Sequence, residues 1–255
     1  MTASEFGFAE YLRSILAIAT FFLIFLIATP IILFLLLISL GRASNFVVEY
    51  IAPLMVRPVM WVSGITFKVK MHTDQITSPA VFIINHSSTL DVLTLLALGL
   101  PHVRFVAKWE FQYNPIFLLL GRLTGQIFIK REKSEKAIQT LQKTYKRIKK
   151  NRLSIMMAPE GSRKHLGVIG PFKKGPFRMA MDLDYPIVPI YFEGNRDLSK
   201  GGTLVTKTGT VTAHIHEPID ISDWTLDNLE ENIIQVRWRY IRWAGITEDN
   251  VKPIA

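Results

Sequence analysis

His86 and Asp91 stand five residues apart in the stretch VFIINHSSTLDVLTLL, Val81–Leu96. An imidazole, with an unperturbed pKa of about 6.5, suits abstraction of an alcohol proton near neutral pH. A carboxylate that accepts its Nδ1–H fixes the tautomer, leaves Nε2 free as a base and steadies the imidazolium once it forms. Residues at this spacing point to different sides of a continuous helix, since same-face partners lie about three or four apart. They meet if His86 sits in the loop leaving VFIIN and Asp91 in the first turn of a helix, where the helix dipole favours the carboxylate. The competing reading is a simple helix cap, for which Ser87, Ser88 and Thr89 suffice unaided. No nearby serine is an evident acylated nucleophile, so direct deprotonation of an acceptor hydroxyl is the simpler scheme. Backbone N–H groups around the helix start are the candidate donors to an oxyanion.

Such a loop needs a scaffold, and the pattern beyond Gly64 supplies one. Short apolar runs (AVFII, VRFVA, QIFI, LSIMMA, PIVPIYF) alternate with helical patterns over Leu90–Leu100, Phe111–Leu120, Ser134–Lys150 and Gly175–Asp182. That alternation predicts an α/β fold with a mostly parallel central sheet flanked by helices. Ligands in such sheets bind outside the strands' carboxyl ends. TLVTKTGTVTAHIHEPI is expected to add later strands, antiparallel at an edge, and Leu229, Ile233, Val236, Tyr240 and Trp243 mark a final amphipathic helix.

The chain opens differently. Ser14–Leu40 carries no charge and, at 27 residues, is long enough to enter a bilayer. It is too long for a signal sequence, and neither a basic leader nor a small-residue cleavage site flanks it. Pro30 predicts a kink or break. Asn45–Gly64 is apolar but holds Glu49 and Arg57, which fits an interfacial helix better than a second span. Two units are therefore expected: a helical membrane anchor over 1–64 and an α/β domain over 65–255. The pattern leaves open whether the apolar segment crosses the bilayer or dips into one leaflet. Basic residues dominate after it, which predicts a body on the cytoplasmic side.

Net charge +9 suits an anionic partner. Lys130–Arg152 alone holds ten basic and two acidic residues. A solvated helix face or contact with anionic lipid headgroups accounts for it, and no nucleic-acid recognition motif accompanies the charge. The absence of cysteine excludes disulfides, thiolate nucleophiles and Cys-ligated metals. No ligand cluster for a metal is evident, and no cofactor is expected. A Gly-x-Ser-x-Gly elbow is missing, which argues against a lipase or thioesterase.

The dyad has company. NHSSTLD (Asn85–Asp91), GQIFIKR (Gly125–Arg131), PEGSR (Pro159–Arg163) and IVPI (Ile187–Ile190) follow in that order, with AKWEF (Ala107–Phe111) and PFKKG (Pro171–Gly175) between and after them. In these blocks the chain resembles the glycerolipid acyltransferases, specifically the 1-acylglycerol-3-phosphate (lysophosphatidate) acyltransferases, over roughly Ile65 to Glu217. The resemblance implies His86 as general base and Asp91 as its orienter. It implies a substrate-binding set of Asn85, Lys108, Gly125, Arg131, Glu160, Gly161, Ser162, Arg163 and Pro189. Within that set Arg131, with Lys108, and Arg163 would grip a phosphate, while Glu160 and Gly161 would shape the acceptor pocket. It implies a membrane-bound enzyme moving a fatty acyl group from acyl-CoA or acyl-carrier protein to the sn-2 hydroxyl of lysophosphatidate. Another lysolipid acceptor and a non-catalytic membrane-binding protein are the alternatives. Four positions depart from the family pattern: Ser162 replaces a threonine, Ala158 a frequent phenylalanine and Lys164 a small polar residue, and Lys130 adds a charge beside Arg131.

Overall fold

The structure is a computed structural model that describes residues 6–113, 115–129, 135–161, 169–199 and 202–246. The chain begins with a long helix, α1 (Phe8–Ile38). A tight turn leads into α2 (Ser44–Phe46), a π-helical turn (Val47–Ile51) and α3 (Ala52–Val62), which returns along α1. The α/β body follows as β1 (Ile65–Met71), β2 (Val81–Ile84), α4 (Asp91–Leu98), β3 (Val103–Lys108), a 3₁₀ turn (Trp109–Tyr113), α5 (Pro115–Leu123), β4 (Ile127–Ile129) and α6 (Glu135–Lys150). It closes with β5 (Ser154–Met157), α7 (Lys174–Leu183), β6 (Ile187–Glu193), α8 (Asn195–Leu198), β7 (Gly209–Ile215) and α9 (Leu229–Trp243).

The seven strands form one sheet in the order β1-β7-β6-β2-β5-β3-β4, and only the β6–β7 pairing is antiparallel. The sheet is therefore mostly parallel and carries helices on both faces, as the alternation of runs predicts. The residues of β2 explain why. All four are buried, because its side chains alternate between two cores. Val81 and Ile83 join Phe177, Ile233 and Tyr240 of α7 and α9 on one face. Phe82 and Ile84 face a second core with Leu95 and Leu98 of α4 on the other.

Two expectations need correction. The antiparallel strand β7 lies inside the sheet rather than at its edge, which β1 forms by running parallel to it. The sequence hid β1 because its outward side chains, Lys68 and Lys70, break the apolar run. Helix α1 also runs through Pro30 without interruption. One proline removes a single N–H from a long ladder, and the remaining bonds carry the helix across it.

The amino-terminal helices are docked on the body, not merely linked to it. Val56 and Met60 of α3 pack with Leu90 and Ala97 of α4 and with Ile65 and Val211 of the sheet. Arg57 donates to the carbonyl of Ala97 at 3.1 Å, and buried Arg104 of β3 reaches Ser44 Oγ at 3.0 Å and Asn45 Oδ1 at 2.6 Å. Thr206 N–H donates to Ser14 Oγ of α1 at 3.0 Å.

Candidate active site

β2 and β5 are neighbours, yet the chain leaves β2 toward α4 on one face and β5 toward α7 on the other. The two loops diverge at the strands' carboxyl ends and leave a crevice there, the usual place for a ligand in such sheets. His86 is in the first loop and Pro159–Gly161 in the second.

Asp91 is the first residue of α4 and is 1 % exposed. His86 Nδ1 lies 2.8 Å from its Oδ2, so the pairing expected from the spacing is present. The same oxygen accepts the backbone N–H groups of Ser87 and Ser88, each at 2.9 Å. Its other oxygen accepts from Asn195 Nδ2 at 2.6 Å, and Thr94 Oγ donates to Asn195 Oδ1 at 3.1 Å. Ser88, Thr94 and Asn195 are fully buried. Every group facing the carboxylate is a donor, which matches an acceptor-only group beside a helix amino terminus. With Nδ1 committed, the imidazole keeps Nε2 as its outward acceptor. The ring is 24 % exposed, and Nε2 has no partner among the described residues.

A second carboxylate locks the loop from the other side. Glu160, 1 % exposed, accepts the backbone N–H of His86 at 2.8 Å through Oε1 and that of Gly170 at 2.7 Å through Oε2. Arg237 of α9 holds the same segment, donating to the carbonyls of Gly170 at 2.9 Å and Ile169 at 3.1 Å. Glu160 thus joins the two loops across the crevice. A buried acceptor that loses a donor costs about 1–3 kcal/mol, so a shift of the Gly170 segment is felt at the histidine.

The remaining sequence-named residues divide by place. Asn85 ties the end of β2 to β6 by donating to Phe192 O at 3.0 Å and accepting Phe192 N–H at 2.7 Å, so both ends of its amide are used. Pro189 is buried within β6 opposite Ile83. Its carbonyl takes His216 N–H at 3.0 Å, and its missing N–H falls on that same side, where β7 has ended. One residue further on, buried Tyr240 bridges the two strands, accepting Ile190 N–H at 3.2 Å and donating to Ile83 O at 2.7 Å. Gly161, with φ 67°, lets the stem of Lys173 cross it: a Cβ there would lie 3.0 Å from Lys173 Nζ. Lys108 ends β3 at the same end of the sheet as His86. Gly125 is not brought to this group. It turns the chain into β4 at the strands' amino ends, with φ 73° beside Arg104. Arg131, Ser162 and Arg163 lie outside the described residues.

Four of the N–H groups expected as candidate oxyanion donors are committed elsewhere. The N–H groups of His86, Ser87, Ser88 and Leu90 are all occupied, by Glu160, Asp91 (twice) and Ser88 Oγ. They hold the dyad and are not free to meet an oxyanion. Conversely, the sequence pattern marks Tyr240 only as part of a helix face and leaves Asn195 and Arg237 unmarked, because the partners of each lie about 50 to 160 positions away along the chain.

Beside the dyad a cavity of about 330 Å³ opens between α1 and the start of α4. Ile18, Phe21, Phe22, Val59, Leu90 and Leu93 make its wall. Such a lining suits an alkyl chain.

Residues 66–193 match the family model named Acyltransferase. The chain belongs to the acyltransferase family. Among curated proteins it is similar to the 1-acyl-sn-glycerol-3-phosphate acyltransferase of Limnanthes douglasii, 30 % identical over 184 residues that make 72 % of this chain and 65 % of that one. It is also similar to the enzyme of the same name from Haemophilus influenzae, 34 % identical over 154 residues, 60 % of this chain and 63 % of the relative. The chain thus spans a little under two thirds of these relatives' length. Among solved structures, the 1-acyl-sn-glycerophosphate (LPA) acyltransferase PlsC of Thermotoga maritima shares the fold, with TM-score 0.67, 20 % identity and coverage of 92 % of this chain and 98 % of that one.

Proposed function

We propose that the chain transfers a fatty acyl group from a thioester to the free sn-2 hydroxyl of lysophosphatidate, forming phosphatidate. The observation that carries this reading is the dyad: an imidazole oriented by a buried carboxylate, its Nε2 left without a partner among the described residues, with an alkyl-lined cavity against the neighbouring Thr89–Leu93 segment. The names of the relatives supply the acceptor class.

In this scheme His86 Nε2 takes the hydroxyl proton as the oxygen attacks the thioester carbonyl. Asp91 stabilises the imidazolium through Nδ1–H. Collapse of the tetrahedral intermediate breaks the C–S bond, and the imidazolium returns its proton to the departing thiolate. Protons and charge balance over the cycle without a metal or further reactant. The acceptor's phosphate falls to Lys108, Arg131 and Arg163, as the motif resemblance implies, and Lys173 adds an ammonium over Gly161 in the same loop. Guanidinium forks suit a phosphate monoester. Acyl-CoA and acyl-carrier protein both fit the donor role.

Helix α1 is long and apolar enough to cross a bilayer by length and composition, and only 11 % of its most apolar window is buried. The docking favours insertion along one leaflet instead. Ser14 and Leu36 are both held against the body, and 22 residues of helix separate them by about 33 Å, close to the hydrocarbon thickness of about 30 Å. A crossing helix would pull its own docking surface into the hydrocarbon. The proposed enzyme is thus bound to one leaflet, and the basic residues that follow α1 assign that leaflet to the cytoplasmic face.

The test is purified protein with one labelled acyl thioester and a panel of lysolipids. Preference for lysophosphatidate over a lysolipid lacking the phosphate monoester is expected. Preference for the phosphate-free acceptor would move the reading to another lysolipid, and transfer to none would end it.

A further inference from the structure

The last two turns of α6 carry charge that the acylation scheme does not use. Lys143, Lys146, Arg147, Lys149 and Lys150 are exposed, as is Arg152 just beyond, while Ile148 is fully buried against the sheet. None of the six cations has a carboxylate partner among the described residues. Lys143, Lys146, Arg147 and Lys150 are spaced to share one helix face. Arg147 shows where that face points, because its guanidinium donates to the carbonyl of Gly125 at 3.1 Å.

Gly125 follows directly on α5, and α5 meets the apolar turn after α1. Leu120 and Leu123 pack with Ile32, Leu36 and Val47. Beyond that contact the turn presents Ile38, Leu40 and Phe46 to the outside, exposed by 63, 82 and 53 %. Arg42 and Arg122 are exposed in the same neighbourhood. Bare apolar side chains thus border a row of cations with no carboxylate partner among the described residues, the composition of a surface that rests at a lipid headgroup layer.

We propose that the Lys143–Lys150 face of α6 binds the phosphates of an anionic leaflet and seats the protein on it. The inference rests on the membrane-bound reading above and names the surface responsible. Its place in the fold selects this partner over the acyl donor. The carboxyl end of α6 leads into the start of β5, whereas His86 follows the end of neighbouring β2. A four-residue strand of about 13 Å separates the two ends. A molecule gripped at Lys150 is held on the wrong side of the sheet to react, but a bilayer that α1 lies along reaches both ends.

The experiment uses the full chain and vesicles of phosphatidylcholine alone or mixed with phosphatidylglycerol. The triple variant Lys143→Gln, Lys146→Gln, Lys150→Gln removes the row and spares Arg147, which holds Gly125. Each juxtamembrane cation contributes about fivefold to partitioning. A loss of about 30-fold or more is expected on anionic vesicles at low salt, with little change on neutral ones. Acyl transfer in neutral detergent is expected to stay at the wild-type rate. Undiminished anionic binding overturns the proposal. So does an equal loss per charge in Lys68→Gln, Lys70→Gln on the far edge strand, which would assign the effect to net charge. Normal vesicle binding with a raised KM for an acidic carrier-protein thioester would make the row a donor-docking surface instead. Because partitioning is read without turnover, an inactive wild type would overturn the acylation reading alone.

Discussion

The Asn85–Asp91 loop and helix α1 are held by opposite means. Between Asn85 and Asp91 nearly every polar group has a named partner within about 3 Å, and most of those partners are buried. Along α1 the body contributes few polar ties, Ser14 Oγ to Thr206 among them, and most of the apolar surface faces outward. The loop is positioned by hydrogen bonds whose geometry tolerates little movement. The helix is positioned by shape, and partition into an apolar medium, the proposed role of its outward surface, would tolerate sliding. Substitutions in the loop are therefore expected to act on rate, and changes in the helix on location.

The sharpest way to break that contrast is Asp91→Asn. The amide would present N–H to a neighbour that is itself a donor and would favour the wrong imidazole tautomer. A fall of about 10³- to 10⁴-fold in kcat is expected, by analogy with the same change in a serine-protease triad. Stability is expected to drop by about 1–3 kcal/mol from the unsatisfied buried donor. Vesicle binding is expected to persist. Deleting residues 1–40 is the mirror experiment: partitioning into neutral vesicles should fall by about 100-fold or more, as exposed apolar area leaves the molecule. Unchanged, salt-resistant binding would move the anchor to Asn45–Gly64 or to the body.

Asn195→Ala tests whether a residue far along the chain belongs to the site. It strips Asp91 of a charge-assisted hydrogen bond, a contribution of about 1.5–3 kcal/mol to the carboxylate's placement. About a tenfold loss in kcat with KM for the acceptor unchanged is expected. Glu160→Gln separates two readings of that residue. If Glu160 only shapes the pocket, acceptor KM rises. If it holds His86 and Gly170, as its hydrogen bonds indicate, kcat falls and Tm drops, less for Gln than for Ala.

The smallest expected effect lies at the other end of the sheet. His216 is stacked 3.6 Å from Trp243 and 4.5 Å from His72. Burial, then the neighbouring His72, His214 and Arg239, pushes its pKa down to about 4. The folded state therefore prefers the neutral ring. That contribution is complete above the ordinary histidine range of about 6.5 and drains away as pH falls toward 4. Allowing for the ring's partial exposure, Tm is expected to fall by about 2–4 °C between pH 7 and pH 5 beyond the drift of a His216→Phe variant. Equal drifts would remove this group from the account.

The contrast between loop and helix also governs what could be read from the residues alone. The parallel sheet was legible because β2, β5 and β6 are continuous apolar runs, and α1 because its composition is that of lipid. The dyad was legible because strand, polar island and helix are contiguous. The network behind it was not. Asn195 reads as an ordinary loop residue, and Glu160 as a wall of the acceptor pocket, until the fold brings the ends of β2, β5 and β6 together. Gly125 shows the reverse error: its motif puts it in the substrate-binding set, yet it lies at the amino ends of the strands, opposite the end where the dyad sits.

The most direct measurement is single-turnover transfer from a labelled acyl thioester to lysophosphatidate by wild type and by His86→Ala, with circular dichroism and vesicle binding on the same samples. Phosphatidate from the wild type and none above background from a folded, membrane-bound His86→Ala protein is the predicted result. Transfer by that variant within about tenfold of wild type would contradict the claim that Nε2 is the base.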